Sequence, residues 1–427
     1  MSTTLPETGP GPAGPGPAGP GQASPAAPGA AAAEPAPGRR GRPHVVAFDL
    51  IRLIIMVFVV GVHTLAFGGG QVTVVLGAFT TVFHTSRELF FLLTALVLTY
   101  NYGRRGPAGP RRQEGRVRWL KFWRRRYRLV VPAYAAWTLI YYAADGPGRG
   151  PFPGAVWHDL LHAGARYHLY FLLVTMQVYL LFPVLCWVLR KTAGHHVALF
   201  LAACAYQLAL TAALHHHLVR TGPLAGWLAG AGSGIWLESY LLYVVAGALA
   251  GWHFDQVCAF TRRHARAATV ALAAGGGAAA GVGAYLAEVY LGGATPAVAS
   301  AVFQPAVVVE ALAFGWALLA GGLIWSDRGA PHRRFFAAGS ASSFGIYLAH
   351  PLVLQGLLAL AAGSGVLAAV RGAPAALEVL ALLGVAVPLI YGLSWMIASA
   401  ARRTPLSLVL TGREYAPGKG RADGTRR

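Results

Sequence analysis

Arg52 and His63 stand eleven positions apart in an apolar run that begins Phe48-Asp49-Leu50-Ile51-Arg52 and ends Val60-Gly61-Val62-His63. At about 100° per residue, eleven steps make three turns plus about 20°, so both side chains leave one helix face, about 16 Å apart along the axis. A guanidinium and an imidazole placed this way can form a polar track through an apolar element. They can equally form an interfacial anchor plus a packed histidine. Asp49, one turn before Arg52, offers the anchor a partner. Imidazole has the ordinary pKa best suited to taking a proton near neutrality, which makes His63 a candidate general base.

A second run reads Phe83-His84-Thr85-Ser86-Arg87-Glu88-Leu89-Phe90-Phe91-Leu92-Leu93-Thr94-Ala95. His84 and Glu88, at i and i+4, share a face. Arg87 and Glu88 need partners or water in apolar surroundings, as a structural ion-pair knot or as part of a site. Their cost favours the site. In Ser342-Ser343-Phe344-Gly345-Ile346-Tyr347-Leu348-Ala349-His350-Pro351, His350 falls about 21 Å along its helix, near the level of His63. Pro351 frees a backbone carbonyl beside it. The strip from Arg116 to Arg128 interleaves arginines with Trp119, Phe122, Trp123 and Tyr127. It reads as an interfacial helix with snorkelling arginines, or as a site for a phosphorylated ligand. Without a soluble domain, nucleic acid is a poor partner. His215-His216-His217 cannot share one helical face, so no metal site is expected.

These residues need elements that can hold them in an apolar medium. The 427-residue chain is 56% hydrophobic and 12% charged, with mean hydropathy +0.51. That excludes a soluble enzyme, and three cysteines without CxxC spacing exclude a disulfide scaffold. Ten apolar runs have the length of membrane-crossing helices: about 46–66, 76–100, 129–144, 167–189, 196–214, 234–252, 267–290, 302–325, 336–361 and 377–400. The third is short and the fifth is interrupted by polar residues. With the N-terminus inside, 29 Lys and Arg lie in inner segments and four in outer loops, Arg149, Arg166, Arg220 and Arg371. The expected fold is therefore all-α and polytopic, with about ten transmembrane helices and both termini cytoplasmic. Residues 1–43 hold 11 Pro, 9 Gly and 10 Ala and read as a disordered cytoplasmic tail. Residues 44–402 form the helical domain and 403–427 a basic cytoplasmic tail. The wealth of Ala, Gly, Pro and Arg, with one Asn, resembles a GC-rich bacterial genome, which points to a bacterial inner (plasma) membrane.

Five pieces, in order, resemble the membrane acyltransferase family 3, whose members are described as surface-sugar O-acyltransferases. They are Arg52-x10-His63; Glu88-Leu89-Phe90-Phe91-Leu92-Leu93-Thr94-Ala95; Arg125-Arg126-Tyr127-Arg128-Leu129-Val130-Val131-Pro132; His168-Leu169-Tyr170-Phe171-Leu172; and Ser343 to Pro351. Thr94-Ala95 stands where the family has Ser-Gly, and Tyr170 where Trp is common. The resemblance spans about 45–400. It implies an acyl-CoA donor, acetyl-CoA by default, arriving from the cytoplasm onto Arg125, Arg126 and Arg128. It implies a hydroxyl acceptor in a sugar-containing glycolipid or polysaccharide. His63 is then the general base, and Arg52 and Glu88 organise the polar track. Arg87 stabilises developing charge or pairs with Glu88. His84, His168, Tyr347 and His350 shape the substrate side. Direct transfer is the default, with an acyl-histidine left open. Two rivals use the same residues differently: a transporter or lipid flippase, with proton coupling through Glu88, Glu238 or Glu310, and a non-catalytic membrane scaffold.

Overall fold

The computed structural model describes residues 44–103, 119–145 and 152–415. The expected tail 1–43, the residues Arg116 and Arg118, and the end of the chain after Tyr415 lie outside them. The described residues form a helical bundle.

Helix α1 (Ala47–Gly68) is followed by α2 (Val74–His84) and α3 (Ser86–Tyr102), which share one span broken at Thr85. Next come α4 (Trp119–Asp145), the short α5 (Gly154–His162), α6 (Tyr170–Lys191) and α7 (His196–His215). Helix α8 (Gly222–Gly232) meets α9 (Leu241–Trp252) through a 3-10 turn, Leu237–Tyr240, and the pair is bent by 67°. Helices α10 (Phe254–His264), α11 (Ala267–Tyr290), α12 (Pro296–Ala299) and α13 (Pro305–Asp327) lead to the long α14 (Arg333–Gly363). The chain closes with α15 (Val366–Arg371), α16 (Ala375–Leu380), a π-helical turn Ala381–Ala386, α17 (Val387–Ala401) and α18 (Ser407–Thr411).

Eight helices among the described residues are long and apolar enough to cross a membrane, or nine if the bent pair is one span. The protein is thus an all-α, multi-pass membrane protein. Helix α4 falls outside that count. The short third apolar run is the second half of a 27-residue helix whose first turns carry the arginines Arg124 to Arg128. At 1.5 Å per residue that helix is about 40 Å long, enough to cross the hydrocarbon and keep its basic start in the headgroup region. The fifth run is continuous, because its polar residues are satisfied inside the bundle. Gln207 donates to the Ser239 carbonyl (2.9 Å) and its amide oxygen accepts from Leu242 N (3.4 Å), which caps the start of α9. The sixth run, expected over 234–252, begins at Leu237 as the 3-10 turn that passes into α9, and Gly234, at φ 71°, lies in the bend before it.

Lipid offers helices no hydrophobic drive to associate, so close backbone contact between small residues has to supply it. The α3–α9 pair shows this. A Cβ built on Gly247 would lie 2.0 Å from the Leu92 carbonyl oxygen, and one on Gly251 would lie 2.5 Å from that of Leu96. Helices α1 and α14 run side by side in the same direction and position the site.

Candidate active site

Two side chains of α1 find their partners on α14. Arg52 Nη1 donates to Ser340 Oγ at 2.8 Å, and His63 Nδ1 lies 2.9 Å from His350 Nε2. The sequence separations are 288 and 287, so a spacing of eleven on α1 meets a spacing of ten on α14, as two parallel helices require. Asp49 does not pair with Arg52. Its carboxylate accepts from His44 Nε2 at 2.7 Å, and the guanidinium reaches across to a hydroxyl instead.

Backbone geometry sets the tautomers of the histidine pair. The Tyr347 carbonyl, one turn before His350, lies 2.7 Å from His350 Nδ1 and can only accept, so Nδ1 carries the hydrogen. In a neutral ring the lone pair is then on Nε2, facing His63. His63 therefore donates from Nδ1, and in its own neutral form it keeps its lone pair on Nε2. No other hydrogen-bonding group takes that nitrogen among the described residues. A base oriented by a second group that is itself oriented is the arrangement proton abstraction needs.

His168 joins the pair. Its ring lies 5.4 Å from that of His350 and 5.1 Å from that of Tyr347, and both of its ring nitrogens are buried without a hydrogen-bond partner. The Tyr347 hydroxyl donates to the His168 carbonyl, and Tyr141 donates to the Leu348 carbonyl at 2.6 Å. On the far side of His63, Tyr167 packs at 4.6 Å between ring centres and stacks on Phe67 at 4.5 Å. Beside it, Arg166 pairs with Asp145 (3.1 Å) and donates to Gln355.

A cavity of about 1810 Å³ opens at the arginine-rich end of the bundle. Its lining includes nine cationic side chains and one carboxylate, Glu414. Arg125, Arg126 and Arg128, which the resemblance gives to the donor, are among the nine, together with Arg52. Arg126 also packs over the rings of Tyr102, Phe122 and Tyr179 at 5.6–5.8 Å. The deep end reaches Phe171 and Tyr347, whose ring centres are 5.3 Å apart. His63 is not on its wall.

Arg87 and Glu88 form a separate centre. Arg87 Nε donates to Glu88 Oε1 at 2.6 Å and Nη2 to the Val302 carbonyl at 3.1 Å, and the guanidinium lies over Phe303 (4.4 Å) and Tyr240 (5.4 Å). His84, at the break after α2, has its ring against the Ser300 backbone, with Nδ1 unpartnered. The four residues expected to act together are thus divided. His63 belongs with His350 and His168, Arg52 with the basic cavity, and Arg87 and Glu88 with each other. His215 is held by Glu288 at 2.7 Å.

Sequence reasoning missed Tyr167 and Ser340, gave Ser342 no role, and missed the arginines after α17. Tyr167 adjoins the His168 segment, and the two serines lie in the turn before the Ser343 segment, so extending either motif by one turn finds them. Arg402 and Arg403 were counted only as topogenic charge.

Comparison with curated proteins and with solved structures finds no match. The family model for the acyltransferase domain of family 3 matches residues 45–395. That range takes in the α1–α14 pairing, the three histidines and the arginine run of α4, and the chain belongs to acyltransferase family 3, as an acyltransferase of the membrane.

Proposed function

We propose that the protein moves an acyl group, acetyl by default, from cytoplasmic acyl-CoA to a hydroxyl of a sugar-containing glycolipid or polysaccharide, with His63 as general base. The histidine pair beside Tyr347, at the edge of an arginine-lined cavity, carries this reading. The arginine-rich end is cytoplasmic, both termini are on that side, and the helices cross a bacterial plasma membrane ten times, in keeping with the bias of basic residues.

In this reading the arginines hold the phosphates of coenzyme A, and its long arm carries the thioester toward Tyr347. The acceptor approaches from the side of Tyr167. Stacked rings beside a fixed set of planar polar groups, Arg166, Asp145 and Gln355, suit the faces and hydroxyls of a sugar. His63 Nε2 takes the acceptor's proton as its oxygen bonds to the thioester carbonyl carbon. The tetrahedral intermediate collapses with cleavage of the C–S bond, and the departing thiolate is protonated. The free ring nitrogens of His168 are available to the substrate. Arg87 and Glu88 hold α3 against the α9 end and the residues before α13.

The test is transfer of radiolabel from acetyl-CoA in membrane vesicles that contain native lipid and glycan. Label is expected in a lipid or glycan fraction as an alkali-labile ester. Labelled acetyl-CoA consumed with no ester product rejects the acceptor class.

His350 has a narrower role, to orient the base. His350→Ala is expected to lower kcat about 100-fold, with little change in KM for acyl-CoA. His350→Gln, whose amide oxygen can still accept from His63 Nδ1, is expected to recover about a tenth of the wild-type rate. Equal loss in both variants assigns His350 to packing alone.

A further inference from the structure

The family match ends at residue 395, but the basic cavity does not. After α17 the chain turns and folds back. Trp137 Nε1 donates to the Leu410 carbonyl at 3.2 Å, and Glu414 forms an ion pair with Arg128. Between these anchors Gly412 takes φ 62°, and a Cβ there would lie 2.5 Å from the Phe344 ring and 3.1 Å from the Leu129 carbonyl oxygen. Glycine alone fits, on conformation and on space. The described part of the segment expected as a basic tail is thus a strap pinned to α4, and it places Arg413 on the cavity wall with Arg402.

Arg402 Nη1 donates to Ser342 Oγ at 3.2 Å, as Arg52 does to Ser340 two residues earlier on α14. Neither has a carboxylate partner among the described residues. Asp49 is held by His44, and Glu414 by Arg128. Burial, together with the nearby guanidiniums of Arg402 and Arg52, pushes Arg413 below the usual arginine range. Three like charges facing one cavity repel unless an anion joins them. A guanidinium fork binds phosphate oxygens through two parallel N–H bonds, and here the neighbouring hydroxyls hold the forks in place. The α4 arginines supply a second bank across the same opening. A coenzyme A thioester carries a diphosphate and a separate phosphate monoester, which is chemistry for two banks.

We propose that Arg402 and Arg413, brought in by the strap 402–414, form with Arg52 a phosphate-binding subsite for the donor. This rests on the acyl-CoA reading above. The same chemistry could hold an anionic lipid headgroup, so the experiment separates the two.

The full-length protein is placed in phosphatidylcholine nanodiscs, and coenzyme A binding is measured by calorimetry. Arg402→Gln/Arg413→Gln is expected to weaken binding at least tenfold, and Arg402→Lys/Arg413→Lys by much less, because point charge remains without the fork. The glutamine variant must elute as the wild type does; if it does not, the lysine variant alone decides, and a loss of at least threefold with normal elution upholds the subsite. Unchanged binding in the variants overturns it. So does a loss confined to phosphatidylglycerol nanodiscs, which would give these arginines to the lipid. If the wild type itself binds no coenzyme A, the donor reading falls. If the wild type binds and the variants bind equally, only the subsite falls.

Discussion

Replacing His63 by alanine is expected to lower acyl transfer by a factor of about 10³ or more, in a protein that still folds and inserts. A general base contributes about 10² to 10⁴ in rate. The upper part of that range applies because the other free ring nitrogens beside the pair, those of His168, have no hydrogen bond that orients them as His350 orients His63. His350 has its Nδ1 committed to the Tyr347 carbonyl, and its Nε2, although freed in the variant, lies one ring further back from the proposed acceptor than His63 Nε2 does. The structural cost is small by comparison. His63 is partly exposed and makes one side-chain hydrogen bond, worth about 1 kcal/mol. The check pairs transfer of labelled acetyl with detergent-extracted yield and monodispersity. A variant with normal elution and more than a tenth of the wild-type rate removes His63 from the proposed chemistry.

Gly247→Val has the largest expected effect on assembly. Its first carbon would lie 2.0 Å from the Leu92 carbonyl oxygen and 2.8 Å from the Leu92 carbonyl carbon, both backbone atoms inside a helix. No rotamer change relieves that overlap, so α3 and α9 must separate. Overpacking of a core typically costs about 1–3 kcal/mol, and a backbone clash at the tightest helix pair belongs at or beyond the top of that range. The move would also break the packing of Tyr240, at the head of α9, against Phe91 on α3 (4.5 Å) and the Arg87 guanidinium. Low yield, aggregated elution and a depressed melting temperature are expected. Gly276→Ala on α11 is the control. Nothing lies within 4 Å of its added carbon, and alanine favours the helix, so unchanged or slightly raised stability is expected. Equal behaviour of the two variants would remove the close contact as the basis of the α3–α9 pairing.

Much of the site was legible because helical periodicity is local. The eleven positions from Arg52 to His63 fix a shared face whatever the surroundings, and depth along two helices put His350 level with His63. What periodicity cannot supply is the neighbour. Asp49 was within reach of Arg52 on α1 itself, yet the guanidinium turned to Ser340, because the packing of α14 brought a hydroxyl closer. Helix propensity also does not stop where hydrophobicity does. Helix α4 therefore begins ten residues before its apolar run, and its arginines become cavity wall. The strap was invisible because its placement depends on a left-handed glycine and one tryptophan bond, features without periodicity. The long apolar spans were readable as helices, but the part of the cavity wall supplied by residues after 402 was not.

The Phe171–Tyr347 contact bears on the electrical integrity of the host membrane. A basic cavity opens from one end of the bundle, and the partly exposed His63, the proposed base, lies toward the other. Were they continuous, every copy would be a proton leak, at about 2.3 kcal/mol dissipated per charge for each 100 mV. Two aromatic rings, one of them fastened by its hydroxyl to the His168 backbone, stand on the cavity wall, and His63 does not. An acyl chain can thread such a seal and fill it as it passes, whereas a hydrated ion cannot. In the proposed reaction, the wall that the thioester has to pass would also let a protein open on one side remain an insulator.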